Sequence, residues 1–81
     1  MYTVYVLRSR RNGRRYVGFT AKTSKERLDE HNLGSSKWTR ANRPFILIYE
    51  EHFAEATEAR RREKFLKSGK GRQYLNNKIP R

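Results

Sequence analysis

Asn12-Gly13 stands between two runs of β-branched and aromatic residues, Tyr2 to Leu7 and Tyr16 to Thr20. A tight hairpin turn needs positive φ at its central residues, and Asn-Gly tolerates this best, so the dipeptide commits the start of the chain to a β-hairpin. With the turn centred there and an even number of loop residues, Leu7 pairs with Gly18 and Ser9 with Tyr16. Side chains alternate across a strand. Tyr5, Tyr16 and Gly18 therefore fall on one face, and Val4, Val6, Val17 and Phe19 on the other, apolar face, which is the expected core side. The first face is expected to be polar-aromatic and accessible. Its gap at Gly18 suits close approach of a phosphate to the backbone, although two tyrosines are also ordinary strand residues.

Beyond the hairpin, Thr23-Ser24-Lys25-Glu26 fits a capping box ahead of a helix over about Ser24 to Asn32, stopped at Gly34. Lys37 to Arg43 reads as a basic loop closed by Pro44, and Phe45 to Tyr49 is apolar and β-branched enough to be a buried strand. From Ala54 to Lys67 no breaker interrupts a run of good helix formers, with Gly69 and Gly71 expected to end it and a short last helix over about Arg72 to Lys78. The order ββαβα(α) predicts an α+β fold, a small three-stranded sheet packing its apolar side on helices. A chain of 81 residues is expected to form one domain, residues 1–81, around one small core.

Charge narrows the function. Twenty Lys and Arg against eight Asp and Glu give +12, so a polyanion is the expected partner. The chain has no cysteine, which excludes thiolate zinc sites and disulfides, and any metal must bind oxygen or imidazole. No apolar run approaches the roughly 20 residues of a membrane span, and no signal-peptide pattern opens the chain, so cytoplasmic residence and no membrane partner are expected. Walker-type phosphate loops and Gly-x-Ser-x-Gly elbows are absent from the sequence, and no small organic cofactor is expected.

Several residues can carry chemistry. Arg27 and His31 lie four apart, hence on one helix face; an arginine binds phosphate bidentately and an imidazole shuttles or orients a proton, though such a pair is also a common solvated face. Projection at about 100° per residue puts Ala56, Ala59, Glu63 and Leu66 on one stripe and Glu58 nearly opposite. A carboxylate at Glu63 on the inward side needs compensation, by a metal ion or by an arginine in a salt bridge. Lys37, Arg40 and Arg43 form a basic run around Trp38, which either stacks on an unpaired base or covers the core edge. His52 has no partner at metal-ligand spacing.

Thr3-Val4-Tyr5 followed by Tyr16-Val17-Gly18 resembles the paired signature of the GIY-YIG nuclease superfamily. Glu26-Arg27-Leu28 through His31-Asn32, then Thr39-Arg40, Arg43-Pro44, Glu58-Ala59, Glu63 and Leu66-Lys67, are similar to its small stand-alone branch related to the N-terminal domain of the excision-repair nuclease subunit. The resemblance implies an antiparallel three-stranded sheet with Tyr5 and Tyr16 as signature tyrosines, Arg27 as catalytic arginine, His31 at the position held by tyrosine or histidine in relatives, and Glu63 as metal ligand. Thr3 replaces the first signature glycine, and Phe19 replaces a lysine of the excision-repair relatives.

The expected activity is a metal-dependent DNA endonuclease, structure-directed or partner-directed. In it Glu63 holds one Mg²⁺ or Mn²⁺, Tyr16 or else Tyr5 assists deprotonation of the water, Arg27 stabilises the transition state and His31 orients the nucleophile. Gly18, Lys37, Trp38, Arg40 and Arg43 are the expected nucleic-acid contacts, with DNA and a targeting protein as partners. The alternative is a catalytically silent nucleic-acid-binding module of the same fold, with RNA or ribosome association as a third reading.

Overall fold

A computed structural model describes residues 1–34 and 36–79. Three strands, β1 (Tyr2–Ser9), β2 (Arg15–Thr20) and β3 (Phe45–Phe53), form an antiparallel sheet in the order β2-β1-β3. Helices α1 (Ser24–Asn32) and α2 (Lys37–Asn42) precede β3, and α3 (Ala56–Lys67) and α4 (Gly69–Lys78) follow it. The α+β class and the antiparallel three-stranded sheet are as expected. The element order gains one helix.

The hairpin register slides by two residues relative to the sequence expectation. Tyr5 faces Gly18 and Leu7 faces Tyr16, because the loop holds Arg10 to Gly13 between the paired Ser9 and Arg14. Gly13 takes φ +77°, and the Ser9 hydroxyl accepts from the amides of Arg11 and Asn12, so a longer turn is stabilised by its own side chain. The loop is still even in length, so the division of side chains between the two faces survives the shift.

Both faces of the sheet are covered, which corrects the expectation of an accessible second face. On one, Val4 and Val6 pack with Ala59 and Leu66 of α3 and Leu75 of α4, all essentially without exposed surface. On the other, Tyr5, Leu7 and Phe45 are buried with Leu28 of α1 and Trp38 of α2 packed against them. An irregularity in β3 beside Val6 and Leu7 serves this two-sided core: Tyr49 pairs with Val6 and Leu47 with Leu7, so Leu47 joins one cluster while Ile48 and Tyr49 join the other.

Two local readings are also corrected. Lys37 to Asn42 is a helix, not a loop, because Ser36 and Thr39 exchange side-chain and backbone hydrogen bonds in a capping box. Gly69 and Gly71 do not end α3. They lie in the first turn of α4, whose N-cap is Ser68, and Gly71 is pressed against the backbone of Phe65 and Leu66, where a Cβ finds no room.

Candidate nucleic-acid interface

Helix α1 turns Ser24, Arg27, Leu28 and His31 towards the sheet, the spacing of one helix face. Thr23 caps it by accepting from the Glu26 amide, and the Leu33 amide closes its end on the Asp29 carbonyl. Tyr5 rises from the middle of β1 beneath this face. Its hydroxyl lies 3.2 Å from His31 Nε2 and accepts from Arg27 Nε at 3.3 Å. The Arg27–His31 pair is therefore inward-facing, not a solvated stripe.

Gly18 is what permits this. Tyr5 leans across the neighbouring strand, and a Cβ at position 18 would stand 2.5 Å from the Tyr5 hydroxyl. The missing side chain accommodates a tyrosine rather than leaving an open phosphate cradle, and Gly18 is buried. Tyr16 completes an aromatic cluster: its ring centroid is 4.7 Å from that of His31, 5.3 Å from Trp38 and 6.3 Å from Tyr5. Trp38 in turn stacks on Phe45 at 5.5 Å, so it covers the core edge while staying half-exposed.

Charge in the centre is arranged around Arg27. Its Nη1 donates to Glu30 Oε2 at 2.5 Å, and Lys22 Nζ holds the other oxygen of Glu30 at 2.6 Å. Burial raises the Tyr5 pKa above the ordinary phenol value; the Arg27 hydrogen bond opposes this, and the charges of Tyr16 and then Glu63 add to the rise. Burial, followed by the Arg27 charge, lowers the pKa of His31, so its imidazole is neutral at pH 7. His31 Nδ1 is buried with no hydrogen-bond partner.

Glu63 projects from α3 at the edge of its buried stripe, with 19% of its side chain exposed, and no hydrogen bond joins it to Tyr5, Tyr16, Arg27 or His31 among the described residues. Glu58 is exposed, as projection requires. No ion pair joins Glu63 to Arg27. Its partner is Lys67 at 3.5 Å, and Arg60, Arg61 and Lys64 line the same cleft. The arginine that neutralises a partly buried carboxylate is Arg62, which grips Glu51 of β3 through Nε at 2.8 Å and Nη2 at 3.0 Å. Phe19 packs in the α3-side core with the Arg60 guanidinium 5.6 Å from its ring centroid.

The structure thus brings Tyr5, Tyr16, Arg27 and His31 into one cluster, while Glu63 lines a separate cleft on α3. Lys37, Arg40 and Arg43 are exposed on and after α2, on the same helix as Trp38, and none is hydrogen-bonded to the centre among the described residues. Sequence reasoning missed Glu30 and Lys22. The spacing of Arg27 and Glu30 was the available signal, since residues three apart share a helix face.

Residues 1–77 match the model of the GIY-YIG catalytic domain. The chain belongs to the GIY-YIG family. It is 36% identical over 73 residues to a UPF0213 protein of Staphylococcus haemolyticus, covering 89% of this chain and 87% of the relative. To a UPF0213 protein of Streptococcus pneumoniae it is 43% identical over 68 residues, covering 83% and 67%. Its fold matches the solution NMR structure of a UPF0213 protein from Bacillus halodurans with a TM-score of 0.57 at 31% identity, over 95% of this chain and 84% of that one. Within this GIY-YIG chain, no group of three or more His, Cys, Asp or Glu side chains is gathered to hold a metal among the described residues. No helix among them is long and apolar enough to cross a membrane.

Proposed function

We propose that this GIY-YIG chain is a nucleic-acid-binding module whose Tyr5–Arg27–His31 centre holds a phosphate of the DNA backbone. The observation that supports it is a guanidinium fixed in advance. Arg27 is held by Tyr5 on one side and Glu30 on the other, with 27% of its side chain still open to solvent. A preorganised arginine loses little entropy on meeting a phosphate, and the +12 surface draws the polyanion towards it. The cations around Glu63 favour the same reading, because a phosphate is welcome where Arg60, Arg61, Lys64 and Lys67 surround a single carboxylate.

Metal-dependent cleavage is the second reading, favoured by a part-buried carboxylate on α3, Glu63, whose ion-pair partner is the exposed Lys67 at 3.5 Å. Glu63 would be the carboxylate that holds Mg²⁺ or Mn²⁺, and such an ion would supply charge neutralisation at the phosphate under attack. The chain's own residues do the rest. Arg27 stabilises charge on the transferring phosphoryl oxygens. Tyr16, half-exposed, is the phenol placed to accept a hydrogen bond from water, since Tyr5 is 1% exposed and already engaged by His31 and Arg27. Neutral His31 fixes the Tyr5 hydroxyl.

A panel of labelled nicked, branched and single-stranded DNA, with Mg²⁺, with Mn²⁺ and with chelator, tests both readings on the parent and Glu63→Ala. Binding that persists in chelator with every DNA intact supports the module. Cutting by the parent that Glu63→Ala abolishes supports the nuclease. Failure to bind any DNA at moderate salt overturns both.

A further inference from the structure

A groove of about 740 Å³ runs along the outer edge of β2, between Trp38 of α2 and the middle of α4. That volume falls in the range of small-ligand pockets, about 300–1,000 Å³. Its lining combines two rings, Tyr16 and Trp38, with four cations, Arg14, Arg15, Lys67 and Arg72, and holds no carboxylate. Arg15 Nη1 donates to Asn76 Oδ1 at 2.8 Å, tying the hairpin to α4 across the groove. One end continues into the centre already described, since Tyr16 packs on His31.

We propose that this groove is the track of a single nucleic-acid strand, with an unpaired base on Trp38 and Tyr16 and the flanking phosphates on Arg15, Lys67 and Arg72. The inference rests on the nucleic-acid reading above and adds to it the form of the substrate: a strand that leaves the phosphate-binding centre unpaired. The chemistry selects this occupant. Cations without a balancing acid call for a polyanion, and half-exposed aromatic rings call for flat apolar faces between its charges. A duplex keeps its bases stacked inside and offers the rings nothing. An acidic peptide satisfies the cations but leaves the rings without a planar partner.

Trp38 is the only tryptophan of the chain, so its emission reports on this groove directly. The full chain is titrated with a dT strand of about ten nucleotides, an abasic strand of equal length and charge, and polyglutamate. Fluorophore-labelled strands report total binding by anisotropy. The dT strand is expected to quench Trp38, the abasic strand to bind without quenching, and the double variant Arg15→Gln/Arg72→Gln to weaken the quenching midpoint about tenfold. Equal quenching by the abasic strand or by polyglutamate, or an unchanged midpoint in the double variant, overturns the proposal.

The variant Arg27→Met separates the groove from the centre. Binding that depends on Arg27 while Trp38 emission stays constant removes the groove and leaves the centre. Quenching indifferent to Arg27 leaves the groove and removes the centre.

Discussion

The Tyr5 hydroxyl occupies the space that a side chain at position 18 would need, only 2.5 Å from where its Cβ would lie. The opening strand and the second strand are thus coupled by one ring. Through that ring the glycine of the second signature element fixes where the first element's tyrosine meets Arg27 and His31. Gly18→Ala is expected to destabilise the fold by about 1–3 kcal/mol, the usual cost of overpacking a filled site. It should also weaken DNA binding, because the displaced ring no longer orients Arg27. Urea unfolding and DNA titration of the same variant check both. A stability equal to the parent's contradicts the contact.

His31 makes stability pH-dependent in one direction. Its pKa is lowered in the fold by burial and by Arg27, so folding favours the neutral ring. The contribution is complete above the unfolded value of about 6.5 and is lost as pH falls through the lower folded value. Urea midpoints of the parent should therefore drop more steeply between pH 7 and pH 5 than those of His31→Gln. Glu30 and Glu51, whose pKa values are also lowered, lose their contributions only below the ordinary carboxylate range, outside this window. Parallel profiles for the two proteins would rule the account out.

Ser36 holds α2 and, with it, Trp38. Ser36→Ala removes the hydroxyl that accepts from the Thr39 amide and should cost about 1 kcal/mol, the typical value of an N-cap. Tryptophan emission should shift to the red as the ring loses its packing on Phe45 and Tyr16. An unchanged spectrum with unchanged stability would show that the capping box does not position the ring.

Glu63 lies among cations that otherwise attract phosphate. In chelator, Glu63→Gln should tighten DNA binding by about twofold to fivefold, the scale of a partly exposed charge pair. Weaker binding in chelator would mean that the carboxylate contacts the nucleic acid through a donor, contrary to the arrangement proposed.

Much of this architecture could be read from residues alone, and the failures have physical causes. Helix α1 occupies Ser24 to Asn32 as expected because a threonine cap and a glycine stop bracket it. The division of the hairpin into an apolar and a tyrosine face was legible because it depends only on loop parity. The pairing itself was not, since Ser9 stabilises a longer turn than Asn-Gly alone suggests. Helix α2 escaped notice because Ser36 and Thr39 form their capping box within a basic run that reads as loop. Helical spacing placed Arg27 with His31, and helical projection put Glu63 on the inner side of α3. It could not show that Glu30 and Lys22 clamp Arg27, nor that Lys67 stands beside Glu63, because those pairings depend on which long side chains meet across the surface.

The role of Arg27 is tested most directly by the salt dependence of DNA binding. Dissociation constants for a short DNA are measured across a range of salt concentrations, in chelator, for the parent and Arg27→Met. A phosphate seated on Arg27 predicts weaker binding at every salt concentration and a log-log slope shallower by about 0.9 in the variant, because one phosphate fewer is neutralised. Identical affinities and identical slopes would contradict it.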